Sequence, residues 1–446
     1  MDAKLDKMEL SLPDYSHAGK AEQIIHRIFR DYKGSLAIRL GSNGKTITFS
    51  TNTPDCILVF NRFKPLRDLI LAPDPLRLSE TYFRGWADIE GNIYSVLGLR
   101  EYLGSLRLSL FEKLSLWVAA LSLVDPEDRK HNDLAAWGWS KPSAMQMHSK
   151  SMNREAIGFH YDVSNDFYKL WLDKQMVYSC AYFDHAGDSL ENAQNNKLDL
   201  ICRKLHLQPG ERLLDIGCGW GALVIWAVEH YGVKAHGVTL SKNQYDYAMQ
   251  KIRERGLERQ ITIELKDYRD IEGDEIYDKI SSVGMFEHVG IRNLPIYFSA
   301  AHRLLKQGGL FLNHGITQDV EGGTMSIGSE FINRYVFPDG ELDMIGNIQR
   351  EMERTSFEIH DVESLRPHYA ITLRHWVERL ERHHEAALQY VSETVYRVWR
   401  LYMAGCALQF ENGELGVYQI LAARRIRKTL SIPLTRSYIT QDGARR

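Results

Sequence analysis

Three glycines at alternate positions close an apolar run in Leu213-Leu-Asp-Ile-Gly-Cys-Gly-Trp-Gly221. A strand that runs into Gly217, Gly219 and Gly221 ahead of a helix lets the backbone turn tightly against a ligand, and the helix start offers unpaired N–H groups. The stretch GCGWGA satisfies the loose dinucleotide pattern G-x-G-x-x-G/A, so a nicotinamide or flavin is one reading. Two features favour another. Asp215, two residues before the first glycine, attracts a cation rather than a pyrophosphate, and Val238-Thr-Leu-Ser241 ends the second strand without the acid that would hold an NAD ribose. S-adenosylmethionine, which carries a sulfonium and an amino group and no phosphate, fits these residues better. A purely structural turn is the third reading.

Other chemistries are thinly represented. Among 17 histidines there is no HExxH or similarly spaced ligand set, so no metal site is expected. Cys56, Cys180, Cys202, Cys218 and Cys406 are odd in number and form no C-x-x-C pair, which argues against a disulfide framework or zinc site and suits a reducing cytosol. The 55 Lys+Arg against 58 Asp+Glu give a net charge of −3, so no global field draws nucleic acid. Charge gathers only at the end of the chain. Arg424, Arg425, Arg427, Lys428, Arg436, Arg445 and Arg446 face one acid, Asp442, and read as a solvated basic tail or an anionic-surface contact.

The elements that must position these residues fall into two groups. With 446 residues, 44% hydrophobic and 25% charged, the chain has apolar mass for more than one core. The first hundred residues read as a small mixed α+β domain: a helix over 21–32, strands over 35–40 and 46–50 around an Asn43-Gly44 turn, and a third strand over 56–60. Over 102–124, Leu103, Leu106, Leu110, Phe111, Leu114, Trp117, Val118 and Leu121 recur at helical spacing, with a break near Gly104. Core packing is the default for that stripe; a lipid-facing or dimer-forming surface is the alternative. The N-terminus lacks the apolar core of a signal peptide, and the longest greasy stretch, 114–124, is too short to span a bilayer. Residues 125–150, with Pro126 and Pro142, lose periodicity. Strands over 212–216, 233–238, 261–265, 277–283 and 309–313 then alternate with helices over 222–231 and 242–255, the pattern of an α/β, parallel, doubly wound Rossmann-like sheet. The division expected is an accessory domain over 1–130, a linker over 131–150, a catalytic domain over 151–430 and a basic tail over 431–446.

Six segments in order carry a resemblance: His160-Tyr-Asp-Val-Ser-Asn-Asp-Phe-Tyr168, Tyr178-Ser-Cys-Ala-Tyr-Phe183, Leu214-Asp-Ile-Gly-Cys-Gly-Trp-Gly221, Val283-Gly-Met-Phe-Glu-His-Val-Gly290, Asn313-His-Gly-Ile316 and Phe331-Ile-Asn-Arg-Tyr-Val-Phe-Pro338. From residue 145 to about 425 the chain resembles the cyclopropane-fatty-acyl-phospholipid synthases, a branch of the class I methyltransferases; the first 140 residues match only loosely, in the manner of members with an extra leading domain. The resemblance implies that Tyr178, Ser179, Gly217, Gly219, Thr239 and Gln244 contact the methyl donor beside Asp215, and that Asp267 and Tyr268 meet its adenine edge. It implies that Cys180, Glu287, His314, Ile316 and Tyr335 hold a bicarbonate ion.

The implied reaction sets its own requirements. An alkene is a feeble nucleophile and must be held in line with the sulfonium methyl at about 3 to 3.5 Å. The resulting carbocation must be kept dry, for which Phe183, Phe286, Tyr335 and Phe337 could supply a wall. A correctly placed weak base then removes a proton from the new methyl to close the ring. Glu287, His314, Tyr335 and Cys180 are the expected catalytic set, with Glu287 bonded to the hydroxyl of bicarbonate and Cys180 a polar contact rather than a covalent nucleophile. The expected substrate is an unsaturated acyl chain of a phospholipid, reached by a cytoplasmic protein held at the inner membrane face through the 102–124 helix and the basic end, with a homodimer left open. The alternatives are a lipid methyltransferase that stops at a methyl, methylene or hydroxyl product, an amine N-methyltransferase, and a lipid-transfer module without turnover.

Overall fold

The computed structural model describes residues 15–49, 53–123, 163–320, 327–337, 340–426 and 432–440. The expected linker, residues 131–150, lies outside them, as do the first residues of the His160 motif and Pro338. The chain divides into two compact units, 1–138 with 392–404 and 139–391 with 405–446. Residues 392–404, which the sequence places in the second domain, thus cluster with the first.

In the first unit, β1 (Leu36–Leu40), β2 (Thr46–Thr48), β3 (Cys56–Phe60) and β4 (Ala87–Gly91) form a mixed sheet in the order β2-β1-β3-β4. β1 and β2 pair antiparallel around the expected turn, and β3 returns parallel to β1. The outer edge of β4 is closed by side chains rather than by another strand. Arg397 Nη1 donates to Ala87 O (3.3 Å), and Arg400 donates to Ile89 O (3.0 Å) and Gly91 O (2.9 Å), satisfying every second carbonyl along the edge. Both guanidinium groups are buried, and Arg397 is neutralised by Asp88 and Glu393. An edge strand left with free carbonyls would invite pairing with another chain.

The expected 102–124 helix is two helices, Leu99–Ser105 and Leu110–Leu121. The break falls at 106–109 rather than at Gly104, because Ser109 caps the second helix: its Oγ accepts from Glu112 N while Glu112 Oε2 accepts from Ser109 N. The apolar stripe does not pack into the core, which corrects the default reading. Leu116 and Ala120 are buried, whereas Leu110 (86%), Phe111 (80%), Leu114 (61%), Val118 (57%), Trp117 (48%) and Leu121 (47%) remain exposed.

The second unit holds a seven-stranded sheet in the order β10-β11-β9-β8-β5-β6-β7, built from β5 (Arg212–Ile216), β6 (Lys234–Thr239), β7 (Ile261–Leu265), β8 (Tyr277–Val283), β9 (Leu305–Gln318), β10 (Phe357–Ser364) and β11 (Leu415–Arg424). Five strands are parallel as expected; β11 runs antiparallel to β9, and β10 antiparallel to β11, so the sheet is mixed. Adjacent residues feed opposite cores: Leu213, Leu310, Leu312, Leu421 and Ala423 on one face, Leu214, Phe311, Ile420 and Ala422 on the other. Burial on both faces is why these strands read as unbroken apolar runs.

The basic end is less free than its charge suggests. Arg424 donates to His302 O and Leu305 O and pairs with Glu275, Arg436 pairs with Asp361, and Ile439 is buried. Arg424 is committed to these internal contacts, whereas Arg436 stays 68% exposed beside its ion pair; Arg427, Lys428, Asp442, Arg445 and Arg446 lie outside the described residues.

The edge closure of β4 has a measurable consequence. Replacing Arg400 by Met leaves the buried Ile89 carbonyl, the more exposed Gly91 carbonyl and the buried Tyr82 Oη without this donor, and should cost about 2 kcal/mol, read as a lower urea midpoint for the first unit. An unchanged midpoint would show that water takes over these acceptors.

Candidate active site

The chain lays down β5, β6 and β7 in one direction and then places β8 on the other side of β5. At such a reversal the helices leave opposite faces of the sheet, and a crevice opens beyond the strands' carboxyl ends. The glycine turn occupies it. Gly217, Gly219 and Gly221 all have positive φ (79°, 54° and 88°), and Gly217 N and Cys218 N both donate to Val238 O at 3.0 Å, tying the loop to the end of β6.

One cavity opens there and gathers all nine residues expected around a methyl donor: Tyr178, Ser179, Asp215, Gly217, Gly219, Thr239, Gln244, Asp267 and Tyr268. Thr239 Oγ1 donates to Gln244 Oε1 (2.8 Å), which orients that buried amide. Asp215 is buried, accepts from Ser281 Oγ (2.7 Å), and is pushed up to about 6 by loss of solvent. Asp267 is less open than the sequence suggests. Its carboxylate accepts from Arg269 N, Nε and Nη2 at 2.6 to 2.9 Å, closing the short helix Tyr268–Asp270.

Tyr178 and Ser179 reach the cavity through a strained approach. Met176 has φ 60° and is held by Asp173, whose carboxylate accepts from Gln175 N (2.9 Å) and Val177 N (2.8 Å). The helix Leu190–Lys204 fixes the next residues: Gln194 Nε2 donates to Ser179 O (2.9 Å), and Lys197 Nζ donates to Ser179 Oγ (2.8 Å). Tyr168, Trp171 and Trp376 box the Tyr178 ring at centroid distances of 5.2 to 5.8 Å. Lys197, Lys266, Trp220, Met285 and His288 also line the cavity and were not singled out from sequence. Gln194 and Lys197 stand three apart, one helical turn, which was the available signal.

The five residues expected to hold an anion lie outside the lining of that cavity. β9 runs past the end of β8: pairing stops at Val283 and His314, and Gly284 N takes His314 O. The next N–H on that edge, Ile316 N, therefore has no strand partner and donates to Glu287 Oε1 (2.6 Å). Gly315, between them, makes room for the Phe286 ring; a Cβ there would stand 2.1 Å from Phe286 Cε1. Glu287 is buried, its Oε2 has no hydrogen-bond partner among the described residues, and desolvation raises its carboxyl to about 7. His314 is also buried; its Nδ1 lies 3.3 Å from Gln419 Nε2, and burial drives its pKa down to about 3, so the ring is neutral. Cys180 follows Ser179 directly and lies at the end of β10, two strands from β9. Its Sγ lies 3.7 Å from Leu365 O, and Leu365 N bonds Val417 O, opposite Ile316. Burial pushes the Cys180 thiol far up, so it is not a thiolate.

Tyr335 is buried at the end of the helix Ile327–Tyr335, against Phe331 and beneath Arg334. Further along the chain, Glu341 N donates to Glu287 O (3.0 Å). Of the expected aromatic wall, Phe286 touches the cluster, Phe337 packs on His288 at 5.3 Å, and Phe183 stacks between His368 and His375 of the helix Arg366–Arg382. Among the described residues no group of three or more His, Cys, Asp or Glu could hold a metal ion.

Comparison with known proteins agrees with this arrangement. The chain is 47% identical over 286 residues to a probable fatty acid methyltransferase of Pseudomonas putida, covering 64% of this chain and 73% of that one. It is 40% identical over 270 residues to cyclopropane mycolic acid synthase 1 of Mycobacterium tuberculosis, 58% of this chain and 93% of that one. The crystal structure of mycolic acid cyclopropane synthase CmaA1 complexed with SAH and CTAB superposes with a TM-score of 0.58 at 38% identity, covering 60% of this chain and 98% of that chain. The family model described as mycolic acid cyclopropane synthetase matches residues 148–420, well over half the chain. The chain therefore belongs to the mycolic acid cyclopropane synthetase family of S-adenosylmethionine-dependent methyltransferases.

Proposed function

We propose that this methyltransferase binds S-adenosylmethionine in the crevice beyond β5 and delivers its methyl to the cis double bond of an unsaturated acyl chain of a phospholipid, which then closes to a cyclopropane. One observation carries the reading: a buried Glu287 with a partnerless oxygen, beside a neutral His314, next to the donor cavity. The likeness to a structure solved with SAH supports the donor, and the relatives' names support an acyl acceptor.

Each residue's part follows from its surroundings. Asp215 attracts the donor's cationic groups, and the Gly217–Gly221 turn allows its close approach. Buried Phe286 and Phe183 exclude water, which would otherwise trap the carbocation as an alcohol. Cys180 remains a thiol and forms no covalent bond.

Bicarbonate fits the remaining cluster. A ring N–H of His314 and the Tyr335 hydroxyl would donate to it, and Glu287 Oε2, ionised above about 7, would accept its hydroxyl proton. When bound it supplies a weak, correctly placed base for the final deprotonation. The relative's name "probable fatty acid methyltransferase" favours a second reading, in which deprotonation elsewhere yields a branched chain.

No helix among the described residues is long and apolar enough to cross a membrane. The exposed face of the Leu110–Leu121 helix is the proposed contact with the bilayer that holds the acceptor; a second copy of the chain is the other occupant it could take. With a rim of Lys113 and Arg107, the face suits apolar insertion into an anionic surface.

Three outcomes test these assignments. Incubation with S-adenosylmethionine and unsaturated phospholipid vesicles should add one CH₂ per acyl chain by mass spectrometry, with a product lacking the alkene; consumption of soluble amines in preference would overturn the lipid reading. Glu287→Gln should reduce turnover by about 10²-fold or more and abolish a rise in rate as pH climbs through about 7, where Glu287 loses its proton, whereas Cys180→Ser should remain active. A Cys180→Ser protein as inactive as Glu287→Gln would reinstate a thiol nucleophile. Finally, Phe111→Glu with Leu114→Glu should release the protein from anionic vesicles without lowering its melting temperature, since both side chains are already exposed; retained co-sedimentation would refute the contact.

A further inference from the structure

Lys197 has no part in the chemistry above, yet its position is unusual for a lysine. Its side chain is buried (1% exposed) and lines the donor cavity. An ammonium has three donors, and the hydrogen-bond partner of Nζ among the described residues is the neutral Ser179 hydroxyl at 2.8 Å. Asp173, Asp215 and the Cys180 thiol act on it electrostatically, but no ion pair with either carboxylate forms. A cation removed from water normally has an anion against it. The Leu190–Lys204 helix brings this charge to the cavity with two donors uncommitted, and what faces it there is the ligand space.

Ser179 transmits the charge. Because its Oγ accepts from Lys197 Nζ, its own proton is free to point to a second acceptor, and a hydroxyl bonded to an ammonium is a stronger donor than one in water. Asp215 lines the same cavity as a buried carboxylate, with one oxygen on Ser281 Oγ. The cavity thus presents a positive arm, Lys197 with Ser179, and a negative arm, Asp215. A group that satisfies both carries a carboxylate and an ammonium together.

We infer that Lys197, acting with Ser179 against Asp215, is a positioning residue that clasps the α-amino-acid end of the methyl donor by its carboxylate. The inference rests on the donor reading above and gives it a polarity: the amino-acid end lies toward Ser179 and Asp215, and the adenosine toward Thr239, Gln244 and Tyr268. Fixing the amino-acid end aims the sulfonium methyl, which a lone contact to the adenosine would leave free to rotate. Burial also lowers Lys197 to about 8, so the clasp weakens as pH rises through that value and the ammonium is lost.

Two ligands distinguish this role from a structural one. S-adenosylhomocysteine carries the amino-acid end; 5′-methylthioadenosine keeps the adenosine and the thioether and lacks it. Calorimetric titration of Lys197→Met should show affinity for S-adenosylhomocysteine reduced about 10-fold or more, with affinity for methylthioadenosine unchanged. Lys197→Arg should restore most of the loss and remove the wild-type decline through about pH 8; the ligand's own amine titrates equally in both proteins and drops out of the ratio. Equal weakening of both ligands, or no weakening of either, would overturn the clasp and leave Lys197 as a prop for the Tyr178–Cys180 segment. A wild-type protein that binds neither ligand would instead refute the donor reading on which the inference rests.

Discussion

The reversal of strand order at β5 is the constraint on which the rest depends. Parallel strands cannot follow one another by tight hairpins, so each must return over a face of the sheet, and where the winding changes direction the two sets of crossovers part. That gap leaves the carboxyl ends of β5, β6 and β8 open side by side, and they deliver the glycine turn, Thr239 and Met285 to one cavity. Had β8 been added beside β7 instead, the Gly217 turn would meet a different strand end and the cavity would lose one wall.

The second half of the site depends on length. β9 has 14 residues, and its neighbour β8 has seven. The unmatched end of β9 has to satisfy its N–H groups by other means, and the Glu287 carboxylate is the partner found for Ile316. The antiparallel strand β11 pairs with the opposite edge of β9 from Leu310 to Gln318, bringing Gln419 to His314. A wholly parallel sheet would place no strand in position to do this.

Much of this was legible in the sequence, and the failures have physical causes. The strand, glycine turn and helix around Gly217 follow from local backbone demands, which sequence expresses directly. All nine donor-side residues converge on one cavity, because each sits at a strand end or in a loop whose place the winding dictates. β10 and β11 escaped notice because Phe357–Ser364 is an edge strand of mixed polarity and Leu415–Arg424 gains its meaning only by inserting between β10 and β9. The stripe over 110–121 reads by spacing as core; spacing reports that a helix has an apolar face, and only the fold reports what that face meets. Lys197 was passed over because nothing in composition separates a buried lysine from a solvated one. Arg424 shows the converse, a member of a basic cluster read as surface that closes internal contacts.

Burial also decides which groups can act as the base in the proposed reaction. Desolvation favours the neutral form of every side chain around Ile316: it raises the Cys180 thiol, raises Glu287 to about 7 and lowers His314 to about 3. His314 is thus uncharged, with Nδ1 engaged by the Gln419 side-chain amide, and at about 3 it is a poor proton acceptor. Cys180 is a thiol for the same reason, and Glu287 has one oxygen already bound to Ile316 N. Its other oxygen, Oε2, has no partner among the described residues, so of these three groups Glu287 alone is left to accept a proton or a hydroxyl. A carbocation generated nearby needs only a weak base, since its adjacent protons are strongly acidic. A stronger fixed base would itself have to be a buried charge, costly to hold in this environment before substrate arrives. Glu287 meets both conditions, a weakly basic carboxyl at about 7 with an open oxygen, whether in the proposed reaction it takes the proton itself or holds the small anion that does.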